Sequence, residues 1–230
     1  MGHLPAHDRT MAFLATAPGV SFGMVDGHPV FLDAAHDRYA ALPRDMIEPF
    51  LAALARGGRA EPGAPGTVRL IASGLFVLSE TAGALEPVRH VPPTRGLEPT
   101  RPRLRPADFA RVWWLLACAR RQVRTRPFSS LVTATPASRS QSSAVTGAPP
   151  LELHVRRFHQ ARAYVPIASS CLGDSLALRR WLARRGHGCA LVFATRLEPF
   201  AAHCWIEADG VVLNDTPERI ATFAPVAVVQ

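Results

Sequence analysis

The stretch IASSCLGDSLALRRWLARRGHG, residues 167–188, carries the strongest signal for the fold of this chain. Its leucines recur at helical spacing, and Ser169 or Ser170 can cap the N-terminus. Gly186 suits the position just after a helix C-terminus. The pattern therefore predicts a helix with Cys171 in its first turn.

A cysteine at that place is chemically distinctive. Unpaired N–H groups and the helix dipole stabilise a thiolate, which lowers the thiol pKa. The same N–H groups can hold an oxyanion. The other cysteines, Cys118, Cys189 and Cys204, lack this setting and are typical of small buried apolar residues. We expect Cys204 to face away from its neighbour His203, because the two alternate along a strand.

The segment PFAAHCWIEADGVVLND, residues 199–215, supplies a candidate base and its orienting acid. His203 can deprotonate a thiol and protonate a leaving amine, and Asp215 can fix the imidazole tautomer. Each residue alone is typical of a structural position, so the interpretation depends on Cys171, His203 and Asp215 together. Strands are predicted over 192–195, 202–207 and 211–215.

The register of the last hairpin gives a sharper expectation. A three-residue loop, 208–210, with Gly210 as a left-handed bulge pairs Glu207 with Val211 and sets His203 opposite Asp215. A two-residue turn would place Asp215 on the other face. We predict the three-residue loop, with Trp205 on the face of His203 as core packing or as a shield for the imidazole.

The N-terminal half follows a different pattern, in which strands precede helices. A region rich in Pro and Arg then predicts an extended linker with little helix. The expected strands are 20–25, 29–32 and 38–42, and the expected helices are 43–58 and 67–74. Beyond the linker, helices are expected over 107–127 and 151–164, with a mobile loop over 129–150. We predict an α+β fold with domains at 1–86 and 106–230, joined by a linker at 87–105.

Composition restricts the class of protein. The chain has 230 residues, is 48% apolar and carries a net charge of +8. That charge is compatible with nucleic acid, with an acidic peptide, or with a genome that favours Arg. No zinc spacing, signal peptide or long apolar run is present, so we expect a cytoplasmic protein with reduced thiols, no metal and no membrane span.

A set of motifs resembles the transglutaminase-like leader peptidases of lasso-peptide biosynthesis. The resemblance covers roughly residues 105–230. The motifs are Cys-Leu-x-x-Ser-Leu-x-Leu at 171–178, Arg-Gly at 185–186, Leu-Val-Phe at 191–193, Pro-Phe-x-Ala-His-x-Trp-x-Glu at 199–207 and Leu-Asn-Asp at 213–215.

The resemblance implies a fold similar to papain and transglutaminase, with Cys171 as nucleophile, His203 as base and acid, and Asp215 as orienting group. It implies removal of the leader from a ribosomal precursor peptide. A separate ATP-dependent cyclase, similar to asparagine synthetase, would then close the ring. Any ATP would be bound by that partner, because this chain has no Gly-rich phosphate loop.

The N-terminal half resembles the winged-helix peptide-recognition element of the same pathways, which pairs a leader with an edge strand. By that resemblance the strand 37–42 and the helix around 68–74 flank the leader. The candidate substrate-binding residues are Arg38, Tyr39, Leu42 and Trp205.

Three other functions stay open. An acyltransferase would use the same three residues and differ only in its products. A non-catalytic scaffold would present the precursor to the cyclase. A winged-helix regulator would bind DNA, but residues 43–75 contain no helix with clustered Arg and polar base readers, which disfavours nucleic acid as a partner.

Overall fold

The computed structural model describes residues 12–83, 85–98, 102–133 and 150–230. The N-terminal eleven residues and most of the predicted loop 129–150 lie outside the described residues. The start of that loop is a correction, because residues 128–133 form a helix. Phe128 and Leu131 are buried on one side of this helix, and the Ser130 amide donates to the Pro127 carbonyl.

The N-terminal half contains two small antiparallel sheets with helices between their strands. Its elements are β1 (Ala12–Thr16), β2 (Val20–Val25), β3 (His28–Asp33), β4 (Arg38–Ala41), α1 (Arg44–Ala55), β5 (Arg59–Ala60), α2 (Pro65–Ala72) and β6 (Phe76–Ser79). The five predicted elements are confirmed in β2, β3, β4, α1 and α2. The sheet β5-β1-β6 was not anticipated, because its short strands pair across long sequence separations. The winged-helix-like arrangement stays a prediction.

Four phenylalanines form the core of this half. Phe22, Phe31, Phe50 and Phe76 come from β2, β3, α1 and β6, are at most 1% exposed, and stack with ring centroids 5.3–5.6 Å apart. Edge-to-face and offset ring pairs add to the free energy of burial. This cluster holds the β2-β3-β4 sheet against α1.

The C-terminal half packs helices against one antiparallel sheet of order β10-β7-β8-β9. Its elements are α3 (Pro106–Thr125), α4 (Phe128–Thr133), α5 (Leu151–Arg162), α6 (Cys171–Ala183), β7 (Ala190–Arg196), β8 (Ala201–Ala208), β9 (Val211–Val212), α7 (Pro217–Ile220) and β10 (Ala224–Val229). The helix predicted from residues 167–188 is α6. Its apolar face meets β7 and β8 through buried residues such as Leu176 and Phe193. With both halves described, the fold mixes helices with antiparallel sheets, as the α+β prediction required.

The β2–β3 hairpin belongs to both halves. Phe22 and Phe31 point into the N-terminal core, whereas Val25, Val30 and Leu32 join the core built on α3, α6 and β7. Side chains on a strand alternate between faces, so one hairpin can serve two cores. The domain boundaries at 86 and 106 stay a prediction.

The contact between the halves needs a glycine. A Cβ built on Gly23 of β2 would lie 2.0 Å from the carbonyl oxygen of Pro225 in β10. The two backbones therefore approach more closely than any side chain would allow.

The region predicted as a linker has no helix in its described residues, 87–98 and 102–105, and it contacts both halves. The Val88 amide donates to the Phe22 carbonyl (2.8 Å), and the Val212 amide of β9 donates to the Arg95 carbonyl (2.9 Å). The described part thus has little helix, as predicted, and backbone hydrogen bonds attach it to the rest of the chain at Val88 and Arg95.

Candidate active site

Cys171 is the first residue of α6, as predicted. The Ser170 hydroxyl caps the helix by accepting the Gly173 amide (3.2 Å). The thiol hydrogen-bonds to the side chains of Cys204 and His203, and these two contacts, in that order, outweigh burial and lower the thiol pKa to about 4. A pKa this low gives a thiolate at neutral pH.

His203 lies between this thiol and a carboxylate. Its Nε2 hydrogen-bonds to Oδ2 of Asp215, so Nδ1 is the ring nitrogen that Asp215 does not engage. The hydrogen bond to Cys171 and then the contacts with Asp215 raise the imidazole pKa, against the opposing effect of burial. The other oxygen of Asp215 accepts the Thr216 amide (2.8 Å). The structure thus brings the three predicted residues together, with the imidazole of His203 between the Cys171 thiol and the Asp215 carboxylate.

The predicted register that was to bring His203 and Asp215 together is wrong. Asp209 and Gly210 form a two-residue turn, with φ of 52° and 72°, and Ala208 pairs with Val211. Both central residues adopt positive φ, as type I′ hairpin turns require. β9 also ends at Val212, so Asp215 is not on a strand at all.

Asp215 reaches His203 through a bend after β9. Asn214 holds this bend, because its Oδ1 accepts the Ile206 amide of β8 (2.7 Å) and its Nδ2 donates to Ser175 Oγ of α6 (2.8 Å). His159 of α5 donates from Nε2 to the Leu213 carbonyl (2.6 Å). The Asn214 side chain thus accepts the backbone hydrogen bond from Ile206 that the next residue pair of the sheet would otherwise make. The chain bends at this point, and Asp215 turns toward the imidazole.

Sequence reasoning missed two members of this network. Ser175 lies one helical turn after Cys171 and is 0% exposed. Cys204 is buried on the opposite strand face from His203, as expected, but its thiol contacts Cys171, and the neighbouring thiolate raises the Cys204 pKa well above its ordinary value. The burial and the facing of Cys204 are as expected, and its interaction with Cys171 is an addition to the site that sequence reasoning did not foresee. The sequence signal for this interaction was that Cys204 lies on the strand face that packs against α6, the helix of Cys171.

A known family matches the part of the sequence that carries this cluster. Residues 112–228, just over half of the chain, match the family described as the transglutaminase-like superfamily. The chain belongs to this superfamily. All three residues of the cluster lie within the matched region.

One curated relative of this transglutaminase-like chain is the Microcin J25-processing protein McjB of Escherichia coli. It is 45% identical over 49 residues, which are 21% of this chain and 24% of the relative. The match therefore spans about a quarter of the relative's length. No solved structure matches the chain.

The candidate substrate-binding residues do not form one surface. Arg38 pairs with Asp33 (3.2 Å), and Leu42 is 7% exposed in the N-terminal core. Trp205 is 0% exposed, and its indole donates to Glu207 (2.9 Å). Its ring lies 6.2 Å from that of His203, which suits the predicted shield better than contact with substrate.

Tyr39 differs from the other three because it faces the transglutaminase-like half. It packs at the edge of that core, and its ring lies 6.2 Å from the ring of Phe200. Burial, followed by the nearby thiols of Cys204 and Cys171, raises the phenol pKa. Tyr39 thus extends from β4 to the neighbourhood of the nucleophile.

The described ranges contain neither a metal-binding cluster nor a membrane-spanning helix. No group of three or more His, Cys, Asp or Glu side chains there is arranged to hold a metal ion. Among the same residues, no helix is both long and apolar enough to cross a lipid bilayer.

Proposed function

We propose that this chain is a cysteine peptidase that removes the leader from a ribosomally made lasso precursor peptide. The observation that carries the proposal is the contact of the Cys171 thiol with His203, whose far nitrogen binds Asp215. Membership of the transglutaminase-like superfamily and the partial likeness to a microcin-processing protein support the choice of reaction and substrate.

In the proposed mechanism the Cys171 thiolate attacks the carbonyl carbon of the scissile peptide bond. Among the described residues, the amides of Cys171 and Leu172 have no acceptor, so they can donate to the developing oxyanion. The His203 imidazolium then protonates the leaving amine, and the thioester forms. Water, deprotonated by His203, hydrolyses the thioester and releases the leader with a free carboxylate.

The N-terminal half would bind the leader. β4 is the outer strand of the β2-β3-β4 sheet, so its outer edge can pair with an extended peptide. Tyr39 of β4 approaches the nucleophile, which favours delivery of the peptide from this edge toward Cys171. The remaining parts of the proposal are a cytoplasmic location and an ATP-dependent cyclase as partner, with no cofactor on this chain.

The test is mass spectrometry of a lasso precursor incubated with the protein, the cyclase and ATP. We expect cleavage at one bond by the wild type and by Cys189→Ala, a control cysteine outside the cluster, and none by Cys171→Ala. An amide on the released leader instead of a carboxylate would indicate an acyltransferase. Equal processing by Cys171→Ala would overturn the proposed nucleophile and favour the scaffold function.

A further inference from the structure

A cavity lies beside the nucleophile, at the N-terminal end of α6. It has a volume of about 340 Å³ and lies between α3 and the loop that leads into α6. Ser170 and Gly173, which line it, flank Cys171 along the chain. A peptide bound with its scissile bond at Cys171 would therefore have a neighbouring side chain within reach of this cavity.

The charge of the cavity wall is positive and largely uncompensated. Arg120 and Arg124, one helical turn apart on α3, line the cavity and are exposed, and neither forms an ion pair with any described residue. The acid in the wall, Asp174, is already bound by Arg162 (3.2 Å) and by the Ser169 hydroxyl (2.6 Å). The two guanidinium groups are thus available to an anionic ligand.

The remainder of the cavity is apolar and held in place. Leu116, Val123 and Ile167 contribute aliphatic surface beneath the two arginines. Arg162 donates to the carbonyls of Val165 (3.2 Å) and Ile167 (2.9 Å), which fixes the loop wall. A wall that is already ordered loses little conformational entropy when a ligand binds.

We propose that this cavity is a specificity subsite for an acidic side chain, Asp or Glu, close to the scissile bond of the peptide substrate. The carboxylate binds Arg120 and Arg124, and its methylene groups pack on Leu116, Val123 and Ile167. This inference rests on the proposed function, because it takes the substrate to be a peptide that is cut at Cys171.

The test uses two alkylating probes, N-bromoacetyl-glutamate α-amide and N-bromoacetyl-glutamine α-amide. In each, the thiolate of Cys171 displaces bromide and forms a C–S bond, so the two reagents share one intrinsic chemistry and differ only in charge. Second-order rates of modification at Cys171 are measured by peptide mass spectrometry for the wild-type chain, Arg120→Gln, Arg124→Gln, the double variant, and Arg121→Gln as a control. Arg121 is exposed on the same helix but does not line the cavity.

We expect the glutamate probe to react about tenfold faster than the glutamine probe in the wild type, as a charge-assisted contact would give. The ratio should fall to about one in the double variant and stay high in Arg121→Gln. A wild-type ratio of one or less, or an equal fall in Arg121→Gln, would overturn the subsite. Alkylation does not require peptide cleavage, so a high ratio without precursor processing would leave the subsite standing while the peptidase proposal fails.

Discussion

At the scale of single residues, the site depends on a shared charge state more than on any one side chain. Cys171 and His203 shift each other's pKa in opposite directions, so the thiolate and the imidazolium stabilise one another. Asp215 and Cys204 act from outside this pair, one on the imidazole and one on the thiol. Asp215 should therefore control the alkaline limb of the pH–activity profile, and Cys204 the acid limb.

The alkaline limb should depend on Asp215. In the wild type we expect activity to rise as Cys171 ionises near pH 4 and to fall above pH 6.5, because the raised pKa of His203 keeps the imidazole protonated to higher pH. Asp215→Asn removes a group that raises this pKa, so the alkaline limb should move to lower pH. The rate should also fall by about 10²- to 10⁴-fold. Precursor cleavage measured against pH checks this, and an alkaline limb that does not move would contradict it.

The acid limb should depend on Cys204, whose hydrogen bond is the largest contribution to the low thiol pKa. Cys204→Ala should move the ionisation of Cys171 upward by about one to two pH units, as the loss of one charge-assisted hydrogen bond implies. The rate of iodoacetamide modification at Cys171 against pH reports this directly. Cys189→Ala is the control and should leave the curve in place.

At the scale of elements, the bend after β9 and the β2–β3 hairpin carry most of the geometry. The bend turns Asp215 out of the strand, while the hairpin joins the two halves. Both depend on backbone placement that is enforced from a neighbouring element: α6 and β8 in the first case, β10 in the second. Substitutions at these contacts should therefore alter activity or stability although the substituted residues do not themselves react.

Asn214→Ala should lower kcat by about tenfold to a hundredfold with little change in KM, because it misplaces Asp215 without touching the substrate. Ser175→Ala should act in the same direction. The double variant should cost less than the two single effects combined, because both side chains belong to one hydrogen-bond network. A fall in thermal stability with an unchanged kcat would contradict this positioning role.

Gly23→Ala should destabilise the fold by about 1–3 kcal/mol, because the new methyl group meets the Pro225 carbonyl and the strand must shift. Gly63→Ala is a matched control with ordinary backbone and no atom within 4 Å of the new Cβ, and it should be nearly neutral. Urea denaturation of both variants measures the difference. Equal stability of the two would show that β2 and β10 do not pack as described.

Much of this architecture could be predicted from the sequence because its signals are local. The helix at Cys171 followed from leucine spacing and a serine cap, and the cluster with His203 and Asp215 followed from motif order. The bend was not predictable, since nothing in the hydrophobic pattern says that the Asn214 amide replaces a backbone contact. β1 and β10 were missed because their partners are distant in sequence, whereas turn signals describe only neighbours.

At the scale of the whole molecule, the two halves share one hairpin and one bound linker, and they should therefore behave as a single cooperative unit. Valines and a leucine of β2 and β3 lie in the C-terminal core, so unfolding either half exposes apolar surface of the other. His90 of the linker also contacts Glu207 of β8, with its Nε2 3.0 Å from a carboxylate oxygen. β4 and Cys171 are therefore held in a fixed relation to each other.

We accordingly expect one thermal transition in calorimetry, with calorimetric and van't Hoff enthalpies that agree. Two separated transitions would contradict the shared core. Gly23→Ala is informative here as well, because weakening the contact between β2 and β10 should broaden or split the transition, whereas Gly63→Ala should leave it sharp.

The hydrogen bond from the Val212 amide to the Arg95 carbonyl should affect how readily the protein aggregates. An outer strand with unpaired backbone groups is a template on which a second molecule can add its own strand, and repetition of that step builds fibrils. In this chain a proline-rich segment already occupies part of that position. Replacing residues 87–98 with a Gly-Ser tether of equal length would keep both halves connected and would free this edge for growth into aggregates.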